Sequence, residues 1–219
     1  MAAGDTLEIG AHDALLVVDV QNDFCAGGTL EVPGGAEVVA PINAIMSMFP
    51  LIVLTQDWHP AGHMSFASSH MGSKPFDTVQ APYGEQILWP DHCVQGTSGA
   101  ALHPDLDPTR AALILRKGMD PAIDSYSAFY ENDHKTPTGL GPYLKSQGVT
   151  RVFLAGLALD FCVGWSAQDA VHEGFKVKVI EDACRAIDTE GSLAETYTSL
   201  DELGVTLIKT ASLGVRRTA

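Results

Sequence analysis

Six short runs of apolar, largely β-branched residues punctuate the chain: Ala14 to Val20 (ALLVVDV), Leu51 to Thr55 (LIVLT), Ala112 to Lys117 (ALILRK), Arg151 to Leu157 (RVFLAGL), Lys176 to Asp182 (KVKVIED) and Val205 to Lys209 (VTLIK). Most are nearly continuous in apolar character, the pattern of strands covered on both faces. Helical patterns lie between several of them. Residues 35–49 (GAEVVAPINAIMSMF) form one, with Pro41 in its first turn or at a kink. Residues 138–148 form a short second. Residues 162–174 (CVGWSAQDAVHEG) form a third, with Val163, Ala167, Ala170 and Val171 on one face and Gly174 as its stop. Residues 190–204 form a fourth, with Gly204 past its end. This alternation predicts an α/β fold, a three-layer α/β/α sandwich around a mainly parallel sheet of roughly six strands.

One stretch breaks the pattern. From Asp57 to about Arg110 the chain is rich in Gly, Pro, Ser and His and has little periodicity. Long irregular stretches inside a domain are usually functional or disordered. Trp58, Phe66, Phe76, Tyr83 and Trp89 argue against disorder here. Residues 1–219 therefore read as one domain carrying an irregular insertion at about 57–110.

Composition narrows the partners. Hydrophobic residues make up 46 % and charged residues 18 %, which suits a globular core. The formal net charge of −14 argues against nucleic acid and anionic membrane surfaces, both of which need basic patches. No apolar run approaches the roughly 20 residues of a membrane span. The N-terminus MAAGDTLEIG has neither the basic nor the apolar region of a signal peptide. The 4 cysteines, Cys25, Cys93, Cys162 and Cys184, show no C-x-x-C spacing and are too sparse for a disulfide framework. A reduced, cytoplasmic protein is the default expectation, with a homo-oligomer left open.

The polar residues at the strand ends carry the chemistry. Asp19 ends the first strand, Asp57 and His59 follow the second, Lys117 closes the third and Cys162 follows the fourth. In a parallel sheet these ends share one edge, the edge outside which ligands bind. Cys162 follows the tight link GLALD at the start of the third helix. A helix N-terminus favours the thiolate and can aim N–H groups at a developing oxyanion. Asp160 reads as that helix's cap. Asp57, His59 and His63, just past a strand, read as either a metal site or a polar loop. Cys25, Cys93 and Cys184 read as core fillers. His12, His70, His103, His134 and His172 read as surface or loop residues.

Five segments in order resemble the motifs of the nicotinamidase/pyrazinamidase branch of the isochorismatase-like cysteine hydrolases: VDVQNDF (Val18 to Phe24), DWHPAGHMSF (Asp57 to Phe66), WPDHCVQGTSGA (Trp89 to Ala100), RKG (Arg116 to Gly118) and GLALDFCV (Gly156 to Val163). Each alone is weak; five in register are strong. The resemblance implies an isochorismatase-like fold of Rossmann-like topology. It implies hydrolysis of nicotinamide to nicotinate and ammonia, with pyrazinamide as a further substrate. It implies a catalytic triad of Asp19, Lys117 and Cys162, and residue chemistry supports the roles: a general base then acid, a cation that favours charged partners, and a nucleophile that forms a thioester. A cis Leu157–Ala158 peptide is implied too, with the Ala158 and Cys162 N–H groups forming the oxyanion hole. Asp57, His59 and His92 are implied ligands of a divalent metal that holds the pyridine nitrogen, with His63 a further candidate. N/O ligation suits zinc, iron or manganese, zinc being the first choice. Phe24, Leu30, Trp89 and Tyr126 match positions that wall the ring pocket.

Two other readings compete. A metal-free relative acting on another small amide or ureide has little use for Asp57, His59 and His92. A non-catalytic metal- or pyridine-binding protein has no need of Asp19, Lys117 and Cys162 together.

Overall fold

In the computed structural model, which describes residues 6–215, all six apolar runs enter one sheet. The reading of the N-terminus as free of a signal peptide rests partly on residues 1–5 and lies outside the described residues. A first strand, β1 (Leu7–Ile9), pairs in parallel with the last, β10 (Leu213–Val215), in a separate ribbon. The main sheet comprises β2 (Asp13–Val18), β3 (Leu51–Asp57), β6 (Leu113–Lys117), β7 (Arg151–Leu157), β8 (Lys176–Arg185) and β9 (Thr206–Ile208), in the order β6-β3-β2-β7-β8-β9. Every pairing in it is parallel. All six residues of β2 are buried, as its unbroken apolar run requires of a central strand. Helices α1 (Val39–Met46), α2 (Leu140–Ser146), α3 (Gly164–His172) and α4 (Ser192–Glu202) flank the sheet as the outer layers of the sandwich. Pro41 sits in the first turn of α1, where its missing N–H leaves no bond unmade. Among the described residues no helix is long and apolar enough to cross a membrane.

The chain leaves β2 toward β3 and β6 on one side, then returns to add β7, β8 and β9 on the other. The order reverses beside β2, and the crevice at such a switch point is where parallel sheets hold ligands. Gly156 permits the closeness there: it has φ 121°, and a Cβ on it would lie 2.1 Å from the Val18 carbonyl oxygen. The carboxyl ends of β2, β3, β6 and β7 thus deliver Asp19, Asp57, Lys117 and Cys162 to one place.

The stretch beyond Asp57 folds over that crevice. It contains an antiparallel hairpin, β4 (Thr78–Ala81) and β5 (Gly84–Ile87). Elsewhere its backbone is tied by loop hydrogen bonds, among them Trp89 N to Ser65 O at 2.7 Å and His59 N to Cys93 O at 3.0 Å. Phe66 and Trp89 are buried and anchor it, whereas Phe76 is half exposed.

Candidate active site

Asp19, Lys117 and Cys162 meet at the crevice floor, all three buried. Lys117 Nζ lies 2.9 Å from Asp19 Oδ2 and 3.4 Å from Cys162 Sγ, donates to the Ser125 carbonyl at 2.7 Å, and pairs with Asp57 Oδ1. Asp19 adopts φ 47°, a left-handed conformation that aspartate tolerates better than most residues. Its backbone N–H donates to Thr55 Oγ1 at 3.1 Å, and the Thr55 hydroxyl donates to Asp19 Oδ1 at 2.5 Å. Burial raises the Asp19 carboxyl above its ordinary range, with Lys117 pulling it back and Asp57 adding to the rise. Burial also pushes the Cys162 thiol well above its ordinary range; Lys117 opposes this, and Asp19 and Asp57 reinforce it. The helix start, which favours the thiolate, is thus set against burial, which favours the thiol. Desolvation acts against the helix start, raising the thiol beside a carboxyl that burial raises as well. Lys117, despite burial, is held protonated by Asp19 and Asp57.

Cys162 lies in a wide π-type turn, Leu159–Val163, that leads into α3. The peptide bond between Leu157 and Ala158 is cis. Asp160 does not cap this helix. Its carboxylate accepts instead from Ile187 N (3.0 Å), Asp188 N (2.7 Å) and Ser192 Oγ (2.6 Å), pinning the loop that precedes α4. The reason is direction: the wide turn points the side chain away from the free N–H groups of its own helix.

A second trio adjoins the first. Asp57, His59 and His92 are buried and each brings one ligand atom within 4.8 Å of the others. Asp57 Oδ2 stands 3.8 Å from His59 Nε2 and 3.8 Å from His92 Nε2, while its Oδ1 faces Lys117. Lys117, His59 and His92 outweigh burial and keep the Asp57 carboxyl well below the usual range. Both imidazoles have fixed roles: His59 Nδ1 donates to Gly118 O (2.9 Å) and His92 Nδ1 to Pro90 O (2.8 Å). A backbone acceptor on Nδ1 leaves the Nε2 lone pair free and aimed, as metal-ligating histidines require. The donor set fits a divalent cation. Gly118, at φ 65°, makes room for this, since a Cβ there would lie 2.4 Å from the His59 ring.

His63 is placed differently. Its Nδ1 faces Ser65 Oγ at 2.8 Å, and its Nε2 faces the carbonyls of Asp120 (2.8 Å) and Ile123 (3.3 Å). Both nitrogens are thus engaged by the protein, and the ring packs on His59 with centroids 4.4 Å apart. It still lies in a cluster with His59 and Asp124 whose ligand atoms fall within 4.8 Å of one another. The other cysteines are buried and unpaired, and Cys93 packs in the core beside His92.

Above the two trios, Phe24, Leu30, Trp89 and Tyr126 surround a small cavity that Asp57, His92, Ala158 and Cys162 also line. Three of the four walls are aromatic, the surface a flat ring packs against. Trp89 Nε1 donates to the Tyr126 hydroxyl at 3.1 Å. Two further lining residues were not singled out from the sequence, Asp124 and Phe161. Phe161 meets Trp89 edge to face with centroids 5.0 Å apart, and Asp124 Oδ1 stands 3.9 Å from His59 Nε2. The position of Phe161 beside the candidate nucleophile was a usable signal; Asp124 sits in an aperiodic stretch that offered none. Gln21 was also missed. Its side-chain amide pairs with both backbone groups of Asp57, at 2.8 Å each, as a neighbouring strand would.

A parallel α/β sheet with a cysteine, a lysine and an aspartate at its switch point describes a class of hydrolase, and the sequence model of the isochorismatase domain matches residues 13–212. The chain belongs to that family. Within it, the chain is 52 % identical to a nicotinamidase of Acinetobacter baylyi over 91 % of its own length and 94 % of that protein. The solved nicotinamidase/pyrazinamidase of Acinetobacter baumanii superposes with TM-score 0.91 at 50 % identity, covering 92 % of this chain and 98 % of that one. A pyrazinamidase of Pyrococcus horikoshii, solved in complex with zinc, gives TM-score 0.73 at 33 % identity over 90 % and 99 % of the two chains.

Proposed function

We propose that this chain is a nicotinamidase, hydrolysing nicotinamide to nicotinate and ammonia and accepting pyrazinamide as well. One observation carries the reading: a buried Asp19–Lys117–Cys162 cluster shares the Asp57 carboxylate with an imidazole pair, beneath an aromatic-walled pocket. The names of the relatives point the same way.

The residues divide the work. Asp19 takes the Cys162 thiol proton as the sulfur attacks the amide carbon, so no free thiolate need persist in the buried site. Lys117 stays protonated and offsets the negative charge that moves between carboxylate and sulfur. The backbone N–H groups of Ala158 and Cys162 are the oxyanion donors in this reading. The C–N bond then breaks, Asp19 returns the proton to the leaving nitrogen, and ammonia departs from a thioester. Water attacks the thioester while Asp19 takes its proton; the C–S bond breaks, giving nicotinate and the regenerated thiol. Asp57, His59 and His92 would hold a divalent metal, zinc by choice over iron or manganese, which supplies a Lewis-acid anchor for a ring nitrogen. Phe24, Leu30, Trp89 and Tyr126 confine the ring, and proximity to Cys162 does the rest.

The test is ammonia release from nicotinamide by metal-replete protein, with Cys162→Ala alongside. The parent is expected to turn over, and the variant to lose turnover while still binding metal and ring. Substantial hydrolysis by Cys162→Ala would place the nucleophile elsewhere. A parent inactive on nicotinamide but active on a non-aromatic amide would favour the metal-free class of relatives.

A further inference from the structure

Gln86 lies in β5, outside the ring pocket, yet it is only 1 % exposed and holds two of the pocket's walls. Its Nε2 donates to Asp124 Oδ2 at 2.8 Å and lies 3.0 Å from the Tyr126 hydroxyl and 2.8 Å from the Ile87 carbonyl. Its Oε1 accepts from the Tyr83 hydroxyl at 3.1 Å and from Asn132 Nδ2 at 3.2 Å. The amide's orientation is fixed by its partners. Asn132 Oδ1 accepts from Tyr126 N at 2.8 Å, so Asn132 turns its NH₂ toward Gln86, and Gln86 must present its oxygen there.

The walls it holds lie in an irregular loop. From Gly118 to Gly139 the chain carries no helix or strand, so side-chain bonds and ring packing against Phe161 and Trp165 position Asp124 and Tyr126. Asn132 gathers this loop on itself, accepting from Tyr126 N and donating its own N–H to Asp124 O at 2.7 Å. Gln86 ties the gathered loop to the hairpin on the other side of the pocket, beside Tyr83, whose hydroxyl accepts from Asp124 N at 3.3 Å. Trp89, two residues past β5, completes the link by donating to the same Tyr126 hydroxyl. One amide thus registers the hairpin, the loop and the tryptophan against each other.

We propose that Gln86 is a positioning residue for substrate: it sets Tyr126 and Asp124 at the separation a single aromatic ring needs, without touching the reacting atoms. The inference rests on the nicotinamide reading above. Its signature is loss of ring binding rather than loss of chemistry.

Gln86→Met keeps the buried volume and removes every bond. With one bond to a carboxylate and one to a wall hydroxyl gone, KM for nicotinamide should rise about tenfold while kcat stays within about threefold. Tyr126→Phe breaks the wall contact from the other end. Adding Gln86→Met to it should raise KM further but by clearly less than about tenfold, because the shared Tyr126 bond is already gone and only the bond to Asp124 remains to be lost. A merely structural role for Gln86 would lower the active fraction, leave KM where it was, and give multiplicative effects in the double variant. Where Gln86→Met does not fold, Gln86→Glu keeps the shape and the Oε1 acceptor, removes the donor to Asp124 and Tyr126, and should raise KM at least about threefold at unchanged kcat. Unchanged KM in the folded variant, or multiplicative effects, overturns the positioning role. The parent measured alongside separates the failures: a parent that releases no ammonia from nicotinamide overturns the activity and this role with it, whereas an active parent with an indifferent Gln86 overturns this role alone.

Discussion

Asp57 gives one carboxylate oxygen to Lys117 and turns the other toward the His59 and His92 imidazoles, so a single side chain joins the nucleophile cluster to the candidate metal centre. Neither half is independent of the other. Lys117 is the only cation among the charged groups of this buried cluster that does not depend on pH near neutrality, and it sits against two carboxylates.

Removing that cation should therefore unfold the site as well as silence it. Lys117→Met leaves Asp19 and Asp57 buried with no counter-charge, and breaking a buried pair from one side costs about 3–5 kcal/mol. Denaturant unfolding measures it as a lower midpoint at unchanged slope. A loss under about 1 kcal/mol would mean the carboxylates find other relief, contrary to this account.

His92→Ala removes one of two imidazoles whose Nε2 is left free by a backbone acceptor on Nδ1. Metal content per chain, by elemental analysis after dialysis, should fall well below that of the parent. The thermal stabilisation that added zinc gives the parent should shrink with it, since a ligand stabilises only the state that binds it. Parent-like metal content in this variant would move the metal off the Asp57/His59/His92 set.

A surface charge offers a test of the fold away from chemistry. Glu173, just past α3, accepts from Lys145 and from the Tyr130 hydroxyl, and these lower its carboxyl below the ordinary value near 4.5. A depressed folded pKa adds stability above the unfolded value, and that contribution is lost as pH falls through the folded one. Glu173 is mostly covered but Lys145 is half exposed, so solvent screens the pair and Glu173→Gln should cost about 0.5–1 kcal/mol at pH 7. Melting curves should show the gap between parent and variant narrowing as pH drops below about 4.5. A gap that widens in acid would contradict the sign of the shift.

The regular parts of this molecule were legible because period and residue type act locally. All six runs of the main sheet became strands, and α3 and α4 end before Gly174 and Gly204. The strand-end polar residues met as expected because a parallel sheet has one carboxyl edge. What the pattern missed depends on distant partners. The ribbon of β1 with β10 joins segments some 200 residues apart, and each is three residues long, too short to show a period. Asp124, Gln86 and Gln21 act through side-chain bonds to residues 36 or more positions away, and spacing along the chain carries no trace of such bonds. Asp160 misled for the opposite reason. Its local position fits a cap, while three donors from the loop before α4 claim it. For Cys162 the helix start is visible in sequence, whereas the burial that raises its thiol is not.

The central claim is that a ring nitrogen, anchored beside Asp57, His59 and His92, holds an amide carbon against Cys162. Steady-state kinetics on nicotinamide, pyrazinamide and benzamide with metal-replete protein tests it most directly. The three amides share a shape and differ in ring nitrogens; pyrazinamide keeps one in the matching position and benzamide has none. Nicotinamide and pyrazinamide should both be turned over, and benzamide should fall at least about a hundredfold in kcat/KM, the loss of one strong anchoring interaction worth about 2.7 kcal/mol. Equal kcat/KM for benzamide and nicotinamide would contradict the account, because the Asp57, His59 and His92 cluster would then have no part in orienting the substrate.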